Sequence, residues 1–316
     1  MESQFVGCLV GAAVGDSMGM CVEEIPMDEV VLHYGSKITS LCEPHPMSPA
    51  NFLKAGENSS EFLIVKLVAQ SIAEKGMIDI KDIIQRYIKW EEQEELHMYV
   101  DPAFLVAVKS LKEGKDHTIN SSSIEGALPA IPVGMYHYAN PMLAVEGTKA
   151  IVMLTHRNEV VLDVASALAV SVGEALQGKF YFKDEYSYFI RLLQTFVNKK
   201  ETKEYLEKVK LLLKGGASIE DAINELGNGS YALEAFSLAL FIFLKTPEET
   251  ETVIINAVNS YGDFGGDTDS IALIAGALAG AYNSEESIPL SWRKGLKDYK
   301  NIVKIAKKLY RVSPHS

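Results

Sequence analysis

Carboxylates and hydroxyls crowd one short stretch near the C-terminal end of the 316-residue chain. Asp263, Asp267, Asp269 and Ser270 fall within Ser-Tyr-Gly-Asp-Phe-Gly-Gly-Asp-Thr-Asp-Ser, residues 260–270. Such groups are the oxygen donors that hard divalent cations take, and they can equally hold the hydroxyls of a polyol. Glycines at 262, 265 and 266 let the chain turn tightly enough for the acidic side chains to converge. Asp, Thr and Ser are also common helix N-caps, favoured by the helix dipole, so capping is a second reading of the turn. Capping needs one such residue, or two in a capping box. Here Asp267, Thr268, Asp269 and Ser270 follow one another directly. An EF-hand is excluded, because the twelfth position counted from Asp267 is Leu278 and not Glu.

Elements that must position this turn are legible on either side of it. Ala272, Ala275, Gly276, Ala279 and Gly280 recur at intervals of three and four, the period of one helix face built from small residues. Phe5 to Met20 is a second apolar segment with Gly7, Gly11, Gly15 and Gly19 at strict four-residue spacing. Glycine is a poor helix former, so a helix here requires close packing on another small-residue surface, and the Gly276 helix is its natural partner. Asp16 and the pair Glu23, Glu24 lie at or beyond the end of that segment, where they face either a cleft or solvent. Glu43 to Ser60, with Pro44, Pro46 and Pro49, reads as a loop, and Glu61 opens a mostly buried helix. Ser59 or Ser60 suits an N-cap there.

Helical patterns continue over Lys81–Gln93, Pro102–Lys112, from Met142, over Val160–Leu176, Glu185–Val197, Lys203–Leu213, Ser218–Leu226 and Tyr231–Leu244, from Pro247 to Val258, and over Leu296–Tyr310. A polar loop is expected from Asp116 to Ser123. Two prolines in Gly126–Gly134 argue against an uninterrupted helix. His156 stands at the junction before Val160 as a ligand-facing, capping or core histidine. Alternating β-branched runs are scarce, which predicts one all-α domain over residues 1–316.

Composition narrows the function. Hydrophobic residues make up 47% of the chain, enough for a sizeable core, while a formal net charge of -12 argues against nucleic acid or an anionic membrane as partner. Cys8, Cys21 and Cys42 form no Cys-x-x-Cys pair and are expected to be reduced. The apolar run from Phe5 follows Glu2 and is interrupted by Asp16, unlike a signal peptide, so the expected location is the cytoplasm.

Two segments carry a resemblance: Gly11-Ala-Ala-Val-Gly-Asp-Ser-Met-Gly-Met-Cys-Val-Glu23 and Gly265-Gly-Asp-Thr-Asp-Ser-Ile-Ala-Leu-Ile-Ala-Gly-Ala-Leu-Ala-Gly280. With Thr155-His156 between them, the chain resembles the ADP-ribosylglycohydrolases, the group that includes the dinitrogenase reductase activating glycohydrolases. The resemblance implies a compact orthogonal multi-helix bundle holding one or two Mg²⁺ ions, or Mn²⁺, and cleaving the bond to the anomeric carbon of an ADP-ribosyl or related ribosyl group. It implies metal-binding roles for Ser59, Ser60, Glu61, Asp267, Asp269 and Ser270. Glu23 and Glu61 are the expected catalytic carboxylates, and Asp16, Gly126, His156, Gly265 and Gly266 the expected substrate-binding positions. Partners implied are an ADP-ribosylated protein or a small ADP-ribose or nucleoside derivative.

Two departures stand out. Ser59-Ser60-Glu61-Phe62 occupies the place of the family's Thr-Asp-Asp-Thr, and Pro129 stands where an arginine is common in Gly-Ala-Met-Arg. They motivate an alternative within the same fold, a non-catalytic ADP-ribose or nucleotide binder, or a crystallin-like structural protein.

Overall fold

The computed structural model describes residues 1–93, 100–115, 120–178 and 186–314. Among them sixteen α-helices follow one another: α1 (Glu2–Gly19), α2 (Met27–Tyr34), α3 (Ser60–Lys75), α4 (Ile80–Glu91), α5 (Pro102–Lys112), α6 (Ala130–Tyr136), α7 (Pro141–Val152), α8 (Glu159–Leu176), α9 (Tyr186–Thr195), α10 (Lys200–Gly215), α11 (Ile219–Leu226), α12 (Ala232–Lys245), α13 (Thr250–Val258), α14 (Thr268–Asn283), α15 (Leu290–Gly295) and α16 (Tyr299–Val312). Among the described residues there is no sheet, only isolated bridges at Ser123–Tyr231 and Gly262–Gly265.

Helices that are apolar on every side have nowhere to go but inside. In α8 every residue from Val160 to Leu176 except Leu162 is buried, and in α14 every residue from Thr268 to Ala281 is buried. The amphipathic helices α4, α10 and α16 bury one stripe each and lie outside, with residues such as Ile83, Leu206 and Ile302 turned inward. α1 and α14 form the centre, and their contact is set by missing side chains. A Cβ on Gly7, Gly11, Gly15 or Gly19 would come within 2.2, 2.1, 2.0 or 2.3 Å of the carbonyl oxygens of Gly280, Gly276, Ala272 and Thr268 respectively. The pairing descends one helix as it climbs the other, so the two are antiparallel, with the end of α1 against the start of α14.

Boundaries expected from the sequence match closely at α5, α8 and α12. α2 and α15 are helices that the sequence reading missed, α13 begins at Thr250 rather than at Pro247, and the C-terminal pattern expected over Leu296–Tyr310 is the single helix α16. The interruption expected in Gly126–Gly134 falls between a 3-10 turn at Ile124–Ala127 and α6, whose Pro132 is tolerated in the first turn. Residues 116–119 of the loop expected from Asp116, and Glu185 at the expected start of α9, lie outside the described residues. Cys8, Cys21 and Cys42 are free thiols. No helix is long and apolar enough to cross a membrane, among the residues described.

If backbone contact between α1 and α14 sets the fold, one methyl group is enough to disturb it. Gly276→Ala places a Cβ within 2.3 Å of the Gly11 carbonyl oxygen. It is expected to cost about 3 kcal/mol and to lower the melting temperature by roughly 6 to 12 °C. Gly215→Ala, where a Cβ meets nothing within 4 Å, is the calorimetric control and is expected to leave the midpoint unchanged or slightly raised.

Candidate active site

The antiparallel pairing delivers Asp16, near the end of α1, to the first turn of α14. Asp267 is the N-cap of that helix, and its Oδ1 accepts from the Ser270 amide at 3.3 Å, while Asp269 Oδ1 accepts from the same amide at 2.9 Å. Capping and ligand geometry therefore coexist in one turn. The third contributor is the start of α3. Ser59 caps it through the Glu61 amide at 3.1 Å and donates its hydroxyl to Asp16 Oδ1 at 2.5 Å. Asp16 Oδ2 accepts from the Ser59 amide at 2.9 Å and from Asn58 Nδ2 at 2.8 Å. Ser270 Oγ lies 2.7 and 2.6 Å from the two Glu61 oxygens, tying α3 to α14.

Five carboxylates meet here. One oxygen each from Asp16, Glu61 and Asp269 lie within 4.8 Å of one another, and so do one each from Glu23, Asp267 and Asp269. The two trios share Asp269. Burial raises the carboxyls of Glu23, Glu61 and Asp269 well above the ordinary range, and repulsion from neighbouring carboxylates adds to it. Asp16 and Asp267 are raised by burial too, although their hydrogen bonds oppose it. Asp267 Oδ2 is buried with no hydrogen-bond partner. An orphaned buried carboxylate oxygen, all-oxygen donors and two converging trios together fit a hard divalent cation of the Mg²⁺ or Mn²⁺ kind.

Above the trios opens a cleft of about 430 Å³. Glu23, Glu61 and Asp267 form part of its floor, Asp101, Ser123 and Glu125 one wall, and Asn228 with the Phe264–Gly266 turn the other. Among the described residues, no Lys, Arg or His lines it.

The ADP-ribosylglycohydrolase profile matches residues 1–316. The chain belongs to the ADP-ribosylglycohydrolase family. An uncharacterized protein of Archaeoglobus fulgidus is 28% identical over 318 residues, covering 99% of this chain and 97% of that one. The ADP-ribosylhydrolase ARH3 of Bos taurus is 27% identical over 342 residues, covering 98% and 93%. A solved structure described as an ADP-ribosylglycohydrolase-related protein complex superposes with a TM-score of 0.76 at 22% identity, covering 99% of each chain, and so shares the all-α fold.

The motif residues of this family member take different places around the cleft. Asp16, expected at substrate, stands within the acidic cluster, hydrogen-bonded to Ser59. Ser60 is buried at the first position of α3. Gly265 and Gly266 shape the wall of the cleft: Gly265 has φ +85°, and a Cβ on it would strike the Glu24 backbone at 2.6 Å. His156 is not among the lining residues. It packs behind the wall, its Nε2 3.3 Å from Ser123 Oγ and 3.5 Å from Asp101 Oδ2. Gly126 leaves room for it, since a Cβ there would lie 2.4 Å from the imidazole. Pro129 sits at the N-cap of α6.

Several lining residues carried no signal in the sequence. Burial works against the charge of Asp101, yet His156, Ser123 and the Ala103 amide hold its carboxyl below the ordinary value. Asn228, in the Gly-Asn-Gly-Ser link before α12, donates to the Ser260 and Gly265 carbonyls at 2.9 and 2.8 Å. Its own carbonyl accepts from the Asp267 amide at 2.8 Å. It braces the turn that aims Asp267 and Asp269.

Two outcomes follow from this geometry. Asn228→Ala removes both side-chain bonds, and calorimetric titration with Mn²⁺ is expected to show affinity lowered by about 10 to 100-fold with helicity unchanged. In chelator the raised carboxyls keep their protons in the folded chain at pH values where the unfolded chain, with pKa near about 4, has lost them. Folding then takes up protons, so stability falls as pH rises above that ordinary value towards the raised folded ones. The chelator-treated protein is expected to melt lower at pH 8 than at pH 5.5, and Asp269→Asn to narrow that gap.

Proposed function

We propose that residues 1–316 form one domain that acts as a divalent-cation-dependent hydrolase, cleaving the glycosidic bond of an ADP-ribosyl or related ribosyl group. The observation that carries the reading is the pair of carboxylate trios sharing Asp269 at the base of the cleft. Full-length similarity to ARH3, named an ADP-ribosylhydrolase, supports the substrate class. Asp16, Glu61 and Asp269 would hold one cation, and Glu23, Asp267 and Asp269 a second, with Ser59 and Ser270 orienting Asp16 and Glu61. Ser60 carries no charge, and Glu61 supplies the only carboxylate of the Ser59–Phe62 stretch. A bound cation would supply Lewis acidity that polarises ribose hydroxyls and acidifies water.

The chain's own groups do the rest. Both Glu61 oxygens already accept from Ser270 Oγ, whereas Glu23 makes no hydrogen bond among the described residues and lines the cleft. Glu23 is therefore the stronger base of the two. Only one of its oxygens is offered to a cation, and the other accepts a proton from water as the water oxygen bonds to the anomeric carbon. The electron pair of the breaking glycosidic bond leaves with the acceptor group, which takes up a proton from solvent water, while Glu23 returns its own to solvent. Burial and the nearby carboxylates raise the carboxyl of Glu23, which makes it a better proton acceptor than an exposed carboxylate. Gly265 and Gly266 let backbone approach the substrate, and Asp101 and Ser123, backed by His156 and Gly126, form the facing wall.

Absence of a basic lining residue among those described, with Pro129 in place of arginine, favours one competing reading, a binder of ADP-ribose or nucleotide without turnover. A panel of ADP-ribosyl conjugates in arginine, serine and acetyl linkage, assayed with Mg²⁺ or Mn²⁺, separates them. At least one is expected to release ADP-ribose, with kcat lowered about 10² to 10⁴-fold by Glu23→Gln and by a similar or larger factor by Asp269→Ala. Tight ADP-ribose binding by calorimetry without release from any conjugate favours the binder.

A further inference from the structure

The helix α2 leaves one face without a partner. Met27 and Val31, and Asp28 and Leu32, stand four residues apart and so share that side of the helix, while Val30 faces the core. Met27, Val31 and Leu32 are 44%, 50% and 80% exposed. Together with Asp28 and Asp263 they line a surface hollow of about 600 Å³. Contiguous exposed apolar surface of this kind marks interaction sites more often than isolated apolar residues do.

This hollow is joined to the active-site cleft through the acidic turn. The Glu24 amide donates to the Gly266 carbonyl at 3.0 Å and the Met27 amide to the Gly262 carbonyl at 3.2 Å, fastening the start of α2 to that turn. Asp263 belongs to the hollow, and the adjacent Phe264, 97% exposed, belongs to the cleft. Bare phenylalanine at a cleft mouth, continued by Met27, Val31 and Leu32, forms an apolar track leading away from the candidate catalytic carboxylates. Charge along the track has one sign. Among the described residues, the cleft contributes six carboxylates and the hollow two, and no Lys, Arg or His lines either.

We propose that the Met27–Leu32 face and Phe264 dock the polypeptide that carries the modified residue, selecting segments in which basic side chains accompany apolar ones. The inference rests on the hydrolase reading for the chemistry of that residue. Apolar side chains of such a segment bury against Leu32, Val31 and Met27, and its cations meet Asp28 and Asp263. A second copy of the chain suits the face less well, because an isologous contact would bring the same carboxylates towards one another. An anionic lipid surface would be repelled by them.

The test uses the full-length protein and two readouts. A fluorescent, unmodified peptide alternating Lys or Arg with Leu is titrated against the parent, Leu32→Glu and Asp28→Lys. The parent is expected to bind, and each variant to bind at least about fivefold more weakly. Hydrolysis is then compared for one linkage carried by that peptide and by the free amino acid. Leu32→Glu is expected to lower kcat/KM on the peptide conjugate about tenfold through KM and to leave the small conjugate unchanged. Equal peptide binding by parent and variants, or equal effects on both conjugates, overturns the docking face and leaves the hydrolase reading intact. Leu32-dependent peptide binding by a protein that cleaves none of the panel's linkages, on peptide or small conjugate, sustains the docking face and removes the hydrolase reading. A parent that sediments as a dimer while Leu32→Glu sediments as a monomer assigns the face to a second copy and overturns the proposal.

Discussion

Everything at the candidate active site depends on how closely the backbones of α1 and α14 approach each other. Four glycines spaced four apart along α1 meet Gly280, Gly276, Ala272 and Thr268 at distances where no Cβ fits. Glycine costs a helix roughly 1 kcal/mol per residue relative to alanine. That cost is offset here by packing two buried helices backbone to backbone. Antiparallel register then fixes which ends coincide, so Asp16 arrives beside Asp269 without any loop having to reach across. The Thr268 hydroxyl, donating to the Gly19 carbonyl at 2.8 Å, fastens the last step of the register.

A second constraint is electrostatic. Five carboxylates are buried in one cluster, with no basic side chain among the described residues that line the cleft, an arrangement unfavourable for any chain left to itself. Hydrogen bonds from Ser59, Asn58 and Ser270 satisfy part of the demand, and Asp267 Oδ2 remains without a partner. A cation shared through Asp269 would relieve what protein donors leave over. In the proposed account, repulsion stored in the folded chain is thus the driving force for cation binding.

Much of this was legible in the residues. The four-residue glycine spacing and the small-residue period after Asp269 each require a close neighbour, and each named the other. Buried helices such as α8 announced themselves by length and uniform apolarity, whereas α2 was missed because its exposed Met27, Val31 and Leu32 break the usual inward-facing pattern. Asp16 was legible as polar but not as part of the cluster, since its neighbour Ser59 lies 43 positions away. Asp101, Glu125 and Asn228 reach the cleft from elements separated in sequence. Nothing in their local types distinguishes them from an ordinary helix cap or a surface turn. His156 stood out by residue type, yet it acts from behind Ser123 and Asp101.

The central claim, that the shared Asp269 cluster is a cation site, is tested most directly by anomalous diffraction from crystals grown with Mn²⁺. The account predicts at least one manganese peak bonded to Asp269, and at full occupancy a second roughly 4 Å from the first. A map at saturating Mn²⁺ with no peak among Asp16, Glu23, Glu61, Asp267 and Asp269 would contradict it.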